Sequence, residues 1–172
     1  MTQPQTRVFM VLAALLMLPH TALGSQPKGR YQQAVISDEG GVLCLRANDV
    51  PELKRAVSIV TNLTIYHRQG GAQRPIWSQS YPPNEVAPPV ISPGDCMDDV
   101  GTEENPLPAL VPGAQYSAEV AAFIVDKSGS PVRRWYSGHF CMVRSEGGFE
   151  VRQVLFDRRR GVWGWDACGL ES

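Results

Sequence analysis

Prolines and glycines punctuate this chain too densely for long helices. The sequence carries 14 prolines and 16 glycines, and most fall between short segments rich in β-branched and aromatic side chains. Proline cannot continue a helix and glycine lets the backbone reverse, so segments bounded this way read as strands joined by turns. In order, strands are expected at residues 31–37, 42–46, 57–67, 76–81, 116–125, 133–143 and 149–156, with a short edge strand near 89–91. Asp38-Glu39-Gly40-Gly41 and Ser145-Glu146-Gly147-Gly148 have the chemistry of hairpin reversals. In the third strand Val57, Ile59, Thr61, Leu63 and Ile65 share one parity, which predicts that they face a core. The change of parity between Val151 and Val154 predicts a bulge at Arg152-Gln153. A single helical turn is expected at residues 49–55, capped by Asp49 with Pro51 in its first turn. The expected fold is therefore all-β, an immunoglobulin-like β-sandwich of about seven strands, with a barrel as the alternative.

Residues 1–24 combine a polar start carrying Arg7, an apolar run at residues 8–18 and the small residues Ala22 and Gly24. This three-part pattern predicts a secretory signal peptide cleaved before Ser25. The run is too short for a membrane anchor, since a spanning helix needs about 20 apolar residues. Residues 25–172 would then form one exported domain, a length that suits a single core. With 16 basic and 17 acidic side chains in the whole chain, the basic excess that neutralises nucleic-acid phosphates is missing. No nucleic-acid partner and no membrane anchor are expected.

Four cysteines, Cys44, Cys96, Cys141 and Cys168, follow the signal. An even count in an exported chain predicts disulfides, and the absence of a C-x-x-C pair disfavours zinc. Three pairings are open. Cys44 with Cys96 and Cys141 with Cys168 is preferred, because the second bridge would fasten a loosely held C-terminal tail to the preceding strand.

Residues 82–112 hold eight prolines and six acidic residues, Glu85, Asp95, Asp98, Asp99, Glu103 and Glu104, with no Lys or Arg. A long segment of this kind reads as a water-facing loop that doubles as a binding element. It lacks the D-x-D-x-D-G spacing of a calcium loop, and nothing in it fixes two carboxylates across a sugar cleft. No G-x-S-x-G nucleophile turn occurs. His139 is the one candidate base, and a packed or surface histidine is its plainer reading. No catalytic residue, metal or cofactor is expected. The tail Arg158-Arg159-Arg160-Gly161-Val162-Trp163-Gly164-Trp165 is the most unusual composition in the chain. Arg and Trp dominate interface hot spots, so Arg158, Arg159, Arg160, Trp163 and Trp165 are candidate partner-binding residues, together with Asp98, Asp99, Glu103 and Glu104. Two other placements are open for the tail: the tryptophans closing the end of the sandwich, or the arginines folding back on the acidic segment. Asn62-Leu63-Thr64 matches a glycosylation triplet, but it lies inside a strand and is read as chance.

The Val42-Leu43-Cys44 strand, Pro93-Gly94-Asp95-Cys96, the stretch Leu110-Val111-Pro112-Gly113-Ala114-Gln115-Tyr116-Ser117-Ala118-Glu119-Val120 and Phe140-Cys141-Met142-Val143 resemble a group of small proteobacterial periplasmic proteins described as immunity proteins of type VI secretion systems. Many of those proteins carry a lipobox cysteine at the cleavage site, which this chain lacks, so membrane tethering does not carry over. The resemblance implies an immunoglobulin-like sandwich that binds and neutralises a toxic effector in the periplasm. It assigns no functional residue. The expected function is thus a protein-binding module whose partner is a periplasm-targeting toxin. The rival expectations are a small hydrolase built on His139 or the acidic segment, and a structural or adhesive envelope domain.

Overall fold

The computed structural model of the chain describes residues 30–39, 42–48, 58–82, 87–97, 100–125, 128–146 and 148–169. The expected signal peptide, the helical turn at 49–55, Gly40-Gly41 and the candidates Asp98 and Asp99 lie outside the described residues.

The described chain is all-β. Its strands are β1 (Tyr31–Glu39), β2 (Val42–Ala47), β3 (Ser58–Gln69), β4 (Ala72–Ser80), β5 (Val90–Ile91), β6 (Gln115–Val125), β7 (Pro131–Ser145), β8 (Gly148–Val154), β9 (Phe156–Asp157) and β10 (Val162–Trp163), and a 3₁₀ turn at Trp165–Cys168 closes it. Eight strands share one hydrogen-bonded sheet in the order β2-β1-β7-β6-β3-β4, with β5 on β3 and β8 on β7, while β9 and β10 form a separate ribbon. All pairings are antiparallel except β1 with β7, where Tyr31, Gln32 and Gln33 run beside Trp135, Tyr136 and Ser137.

The sheet closes on itself. β5 pairs with β3 at Ser58 and Ile59. From the other side Ala47 N donates to Ser92 O (2.8 Å) and Met97 N to Leu45 O (2.9 Å). Hydrogen bonding therefore circulates through β3, β6, β7, β1, β2 and the stretch at 89–97, back to β3. After Gln33, β1 leaves the edge of β7 and crosses its inner face. A Cβ at Gly138 would lie 2.6 Å from Ile36 Cδ1 and 2.9 Å from Ala34 O, so only glycine lets the two strands approach this closely.

The core lies inside the circuit. Ala34, Ile36, Leu45, Val60, Leu63, Ile65, Ile91, Met97, Val120, Tyr136 and Phe140 are all buried there. Tyr136 sinks its hydroxyl into this apolar volume and satisfies it against Ser58 Oγ at 2.6 Å, which avoids the cost of an unmade buried hydrogen bond. The bridges are Cys44–Cys96 and Cys141–Cys168, the preferred pairing.

Two strand expectations need correction. β3 does not hold one parity: its register on β6 shifts between Val60 and Asn62, leaving Thr61 as the extra residue with its hydroxyl donated to Ala121 O. Ser58 and Val60 are buried before this bulge, and Leu63 and Ile65 after it; Ile59 and Thr61 are only half-buried. The bulge expected in β8 is absent, because β8 pairs with β7 without a register shift from Gly148 to Val154. Its apolar residues occupy both parities because both faces are covered. Val151 packs on the main core, and Val154 sits in a second cluster with Cys141 and Cys168.

The segment expected to be a water-facing loop is pinned to the body at several described points. Cys96 ties it to β2, and Val100, Leu107 and Leu110 pack against the core. Asn105 holds the edge of β4: its side-chain amide donates to Ser78 O (3.0 Å) and Gln79 Oε1 (2.6 Å), and its backbone carbonyl accepts from Trp77 Nε1 (3.1 Å). Proline suits this role, since it costs little chain entropy to fix and needs no ladder partner. The segment is a strap that shields part of an otherwise open strand edge.

Candidate protein-binding surface

The second cluster is built on the outer face of the sheet, opposite the core. Cross-strand register lines up Tyr66, Ser117, His139 and Val154 in one row across β3, β6, β7 and β8. Alternation turns these side chains away from the core, where they would meet water if nothing lay above them. The C-terminal tail lies above them. Trp163 meets the His139 ring edge-on at 4.0 Å between centroids, Trp165 lies 5.7 Å from the same ring, and the Arg68 guanidinium sits 5.4 Å over Trp165. The Cys141–Cys168 bridge and a bond from the Arg152 guanidinium to Ala167 O (3.1 Å) clamp the tail from its far end.

Beneath this cover three buried polar atoms have no hydrogen-bond partner: Arg68 Nε, Ser117 Oγ and His139 Nδ1. Burial opposes a charge on His139, and the nearby Arg68 cation opposes it further, so its pKa is pushed down from the ordinary 6.5 to about 4. A histidine that weakly basic, roofed by a tryptophan, is a poor general base at neutral pH.

The tryptophans are therefore anchors, half-buried against the body. What they hold outward is the β9–β10 ribbon. In the turn between its strands, Asp157 Oδ1 accepts from the backbone N–H groups of Arg159 (2.8 Å) and Arg160 (3.2 Å), and Gly161 adopts a positive φ. Arg158, Arg159 and Arg160 are exposed along this turn. Beside them three large apolar side chains also face water: Leu155 at 60 %, Phe156 at 45 % and Val162 at 45 % exposure. Glu103 and Glu104 are exposed on the strap. Among the described residues the ion pairs are Arg46 with Glu39 and Arg152 with Glu150, so the tail arginines form none with Asp95, Glu103 or Glu104. Arg158, Arg159, Arg160 and Trp163 come together in one ribbon and Trp165 opens the 3₁₀ turn that follows it; Glu103 and Glu104 belong to a different element.

Sequence reasoning named the arginines and tryptophans but missed Leu155, Phe156 and Val162, whose exposure follows from the ribbon leaving the sheet. It also missed Arg68 and Ser117, whose only sequence signal is their place on the outward parity of β3, beyond its bulge, and of β6. A carboxylate of Glu39 lies close to the sulfurs of Cys44 and Cys96; those sulfurs are joined to each other and offer no thiolate. Compared with known proteins, the chain matches no family model, no curated protein and no solved structure.

Proposed function

We propose that this chain is a protein-binding module of the bacterial periplasm that neutralises a toxic type VI secretion effector by covering its surface. The observation that carries the reading is the β9–β10 ribbon. It places three exposed arginines next to exposed Leu155, Phe156 and Val162 on a turn held by Asp157, two tryptophan anchors and a disulfide. Exposed apolar side chains beside fixed arginines have the composition of an interface hot spot, and a surface ordered in advance loses little entropy on binding. The partner is an acidic protein surface with an apolar notch. The poor basicity and tryptophan cover of His139 speak against the hydrolase. Two disulfides suit an oxidising compartment, and among the described residues no helix is long and apolar enough to cross a membrane. The β1–β2 layer crossing the inner face of β7 is compatible with the immunoglobulin-like sandwich that the family resemblance implies.

The test is co-expression in the periplasm with the product of the adjacent reading frame. The intact chain is expected to restore growth against that toxin, and the Arg158→Ser, Arg159→Ser, Arg160→Ser triple variant to lose protection. Equal protection by the triple variant removes the ribbon from the interface. A non-toxic neighbour removes the immunity reading.

A further inference from the structure

A second feature lies elsewhere on the molecule. Six residues along β7 from His139, about 20 Å at the rise of a strand, the β6–β7 hairpin projects past the point where β3 begins: β3 pairs with β6 only as far as Phe123. A cleft of about 480 Å³ opens at this end of the sheet, lined by Thr61, Phe123, Pro131, Arg133, Arg134 and Trp135 among others. Among the described residues its lining includes two arginines and no acidic side chain. Neither arginine takes part in an ion pair among the described residues. Arg134 Nε is shut away from solvent, so a ligand in the cleft meets this side chain at its terminal nitrogens. The walls are aromatic. Trp135 is held in place by Tyr31, stacked at 5.2 Å with 16° between ring planes, and Phe123 sits across the β6–β7 ladder opposite Arg133.

We propose that this cleft binds a small organic anion, a phosphate or carboxylate carried on a flat apolar body. The guanidinium fork matches either group with two parallel N–H donors. The flat body lies against Trp135 and Phe123, and the cleft volume falls within the range of sites that enclose small molecules. Thr61 donates its only hydroxyl hydrogen to Ala121 O, and among the described lining residues the two arginines are the cationic side chains with N–H donors for an anion. The site is independent of the tail ribbon and of the function proposed for it.

Calorimetric titration of the full chain tests this with phenyl phosphate, benzoate and inorganic phosphate, the first two distinguishing phosphate from carboxylate. At least one aryl anion is expected to bind saturably at one site per chain, at least tenfold more tightly than inorganic phosphate. Its affinity should fall at least tenfold in Arg134→Gln and in Arg133→Gln, and stay unchanged when the three tail arginines are replaced. Arg133 is exposed, so its variant keeps the test decisive if the Arg134 variant fails to fold. No saturable binding of either aryl anion, equal affinity for inorganic phosphate, or undiminished affinity in Arg133→Gln overturns the proposal.

Discussion

His139 shows how a single side chain records the cost of its surroundings. Its ring is wedged between the sheet and Trp163, and Arg68 stands nearby. Folding therefore asks this imidazole to stay neutral. Unfolded, it takes up a proton near pH 6.5; folded, it resists until about pH 4. Between those values the unfolded chain binds more protons, so stability rises with pH through this window and is lost as pH falls toward 4. Thermal melts from pH 7.5 to pH 4 are expected to show Tm falling more steeply in the wild type than in His139→Gln, by a few degrees, at about 2–4 °C per kcal/mol for a chain of this size. Parallel slopes would show that the histidine is not held neutral. Sequence alone marks His139 as a candidate base; it does not reveal the roof, because Trp163 comes from a tail whose course over the sheet depends on which of three cysteine pairings forms.

Elements were legible wherever local chemistry decided them. The hairpins at β1–β2 and β7–β8, the short β5 and the disulfide pairing follow from glycine turns, β-branched runs and the need to secure a tail. Legibility failed where one strand answers to two environments. β3 changes face at Thr61, which no residue type announces, and β8 shows apolar residues on both parities because the core covers one face and the tail covers the other. The acidic segment looked like an open loop because proline richness describes both a solvated loop and a strap. The outer layer is the element most dependent on a single bond. Replacing Cys141 and Cys168 by serine removes a bridge whose ends are 27 residues apart, a closure worth about 3–4 kcal/mol in the chain-entropy model. Denaturant melts should register that loss, and tryptophan emission should shift to the red as Trp163 and Trp165 leave His139 and Arg68. Unchanged emission would mean that the aromatic contacts alone hold the tail.

At the scale of the whole molecule, the circuit of hydrogen bonds and the tail ribbon are two regimes of stability joined by one disulfide. β3, β6 and β7 are paired on both sides and carry the fully buried side chains Leu63, Ile65, Ala118, Val120, Tyr136 and Phe140. Opening any of them breaks ladders on two edges and exposes the core, so their amides open only with global unfolding. The β9–β10 ribbon makes just two residue pairings of its own and packs through one face. Amide hydrogen exchange is therefore expected to be slowest in residues 63–65, 118–120 and 136–140, and faster by orders of magnitude in residues 156–163, since local opening spans the range from nearly nothing to the full unfolding free energy. The contrast bears on binding. A ribbon whose opening costs about 2 kcal/mol exchanges far faster than the core yet stays closed more than about nine-tenths of the time, so it still presents its arginines already ordered. Exchange in residues 156–163 as slow as in β6 would move the ribbon into the rigid regime, and the Cys141–Cys168 bridge would then couple the two layers into one cooperative unit.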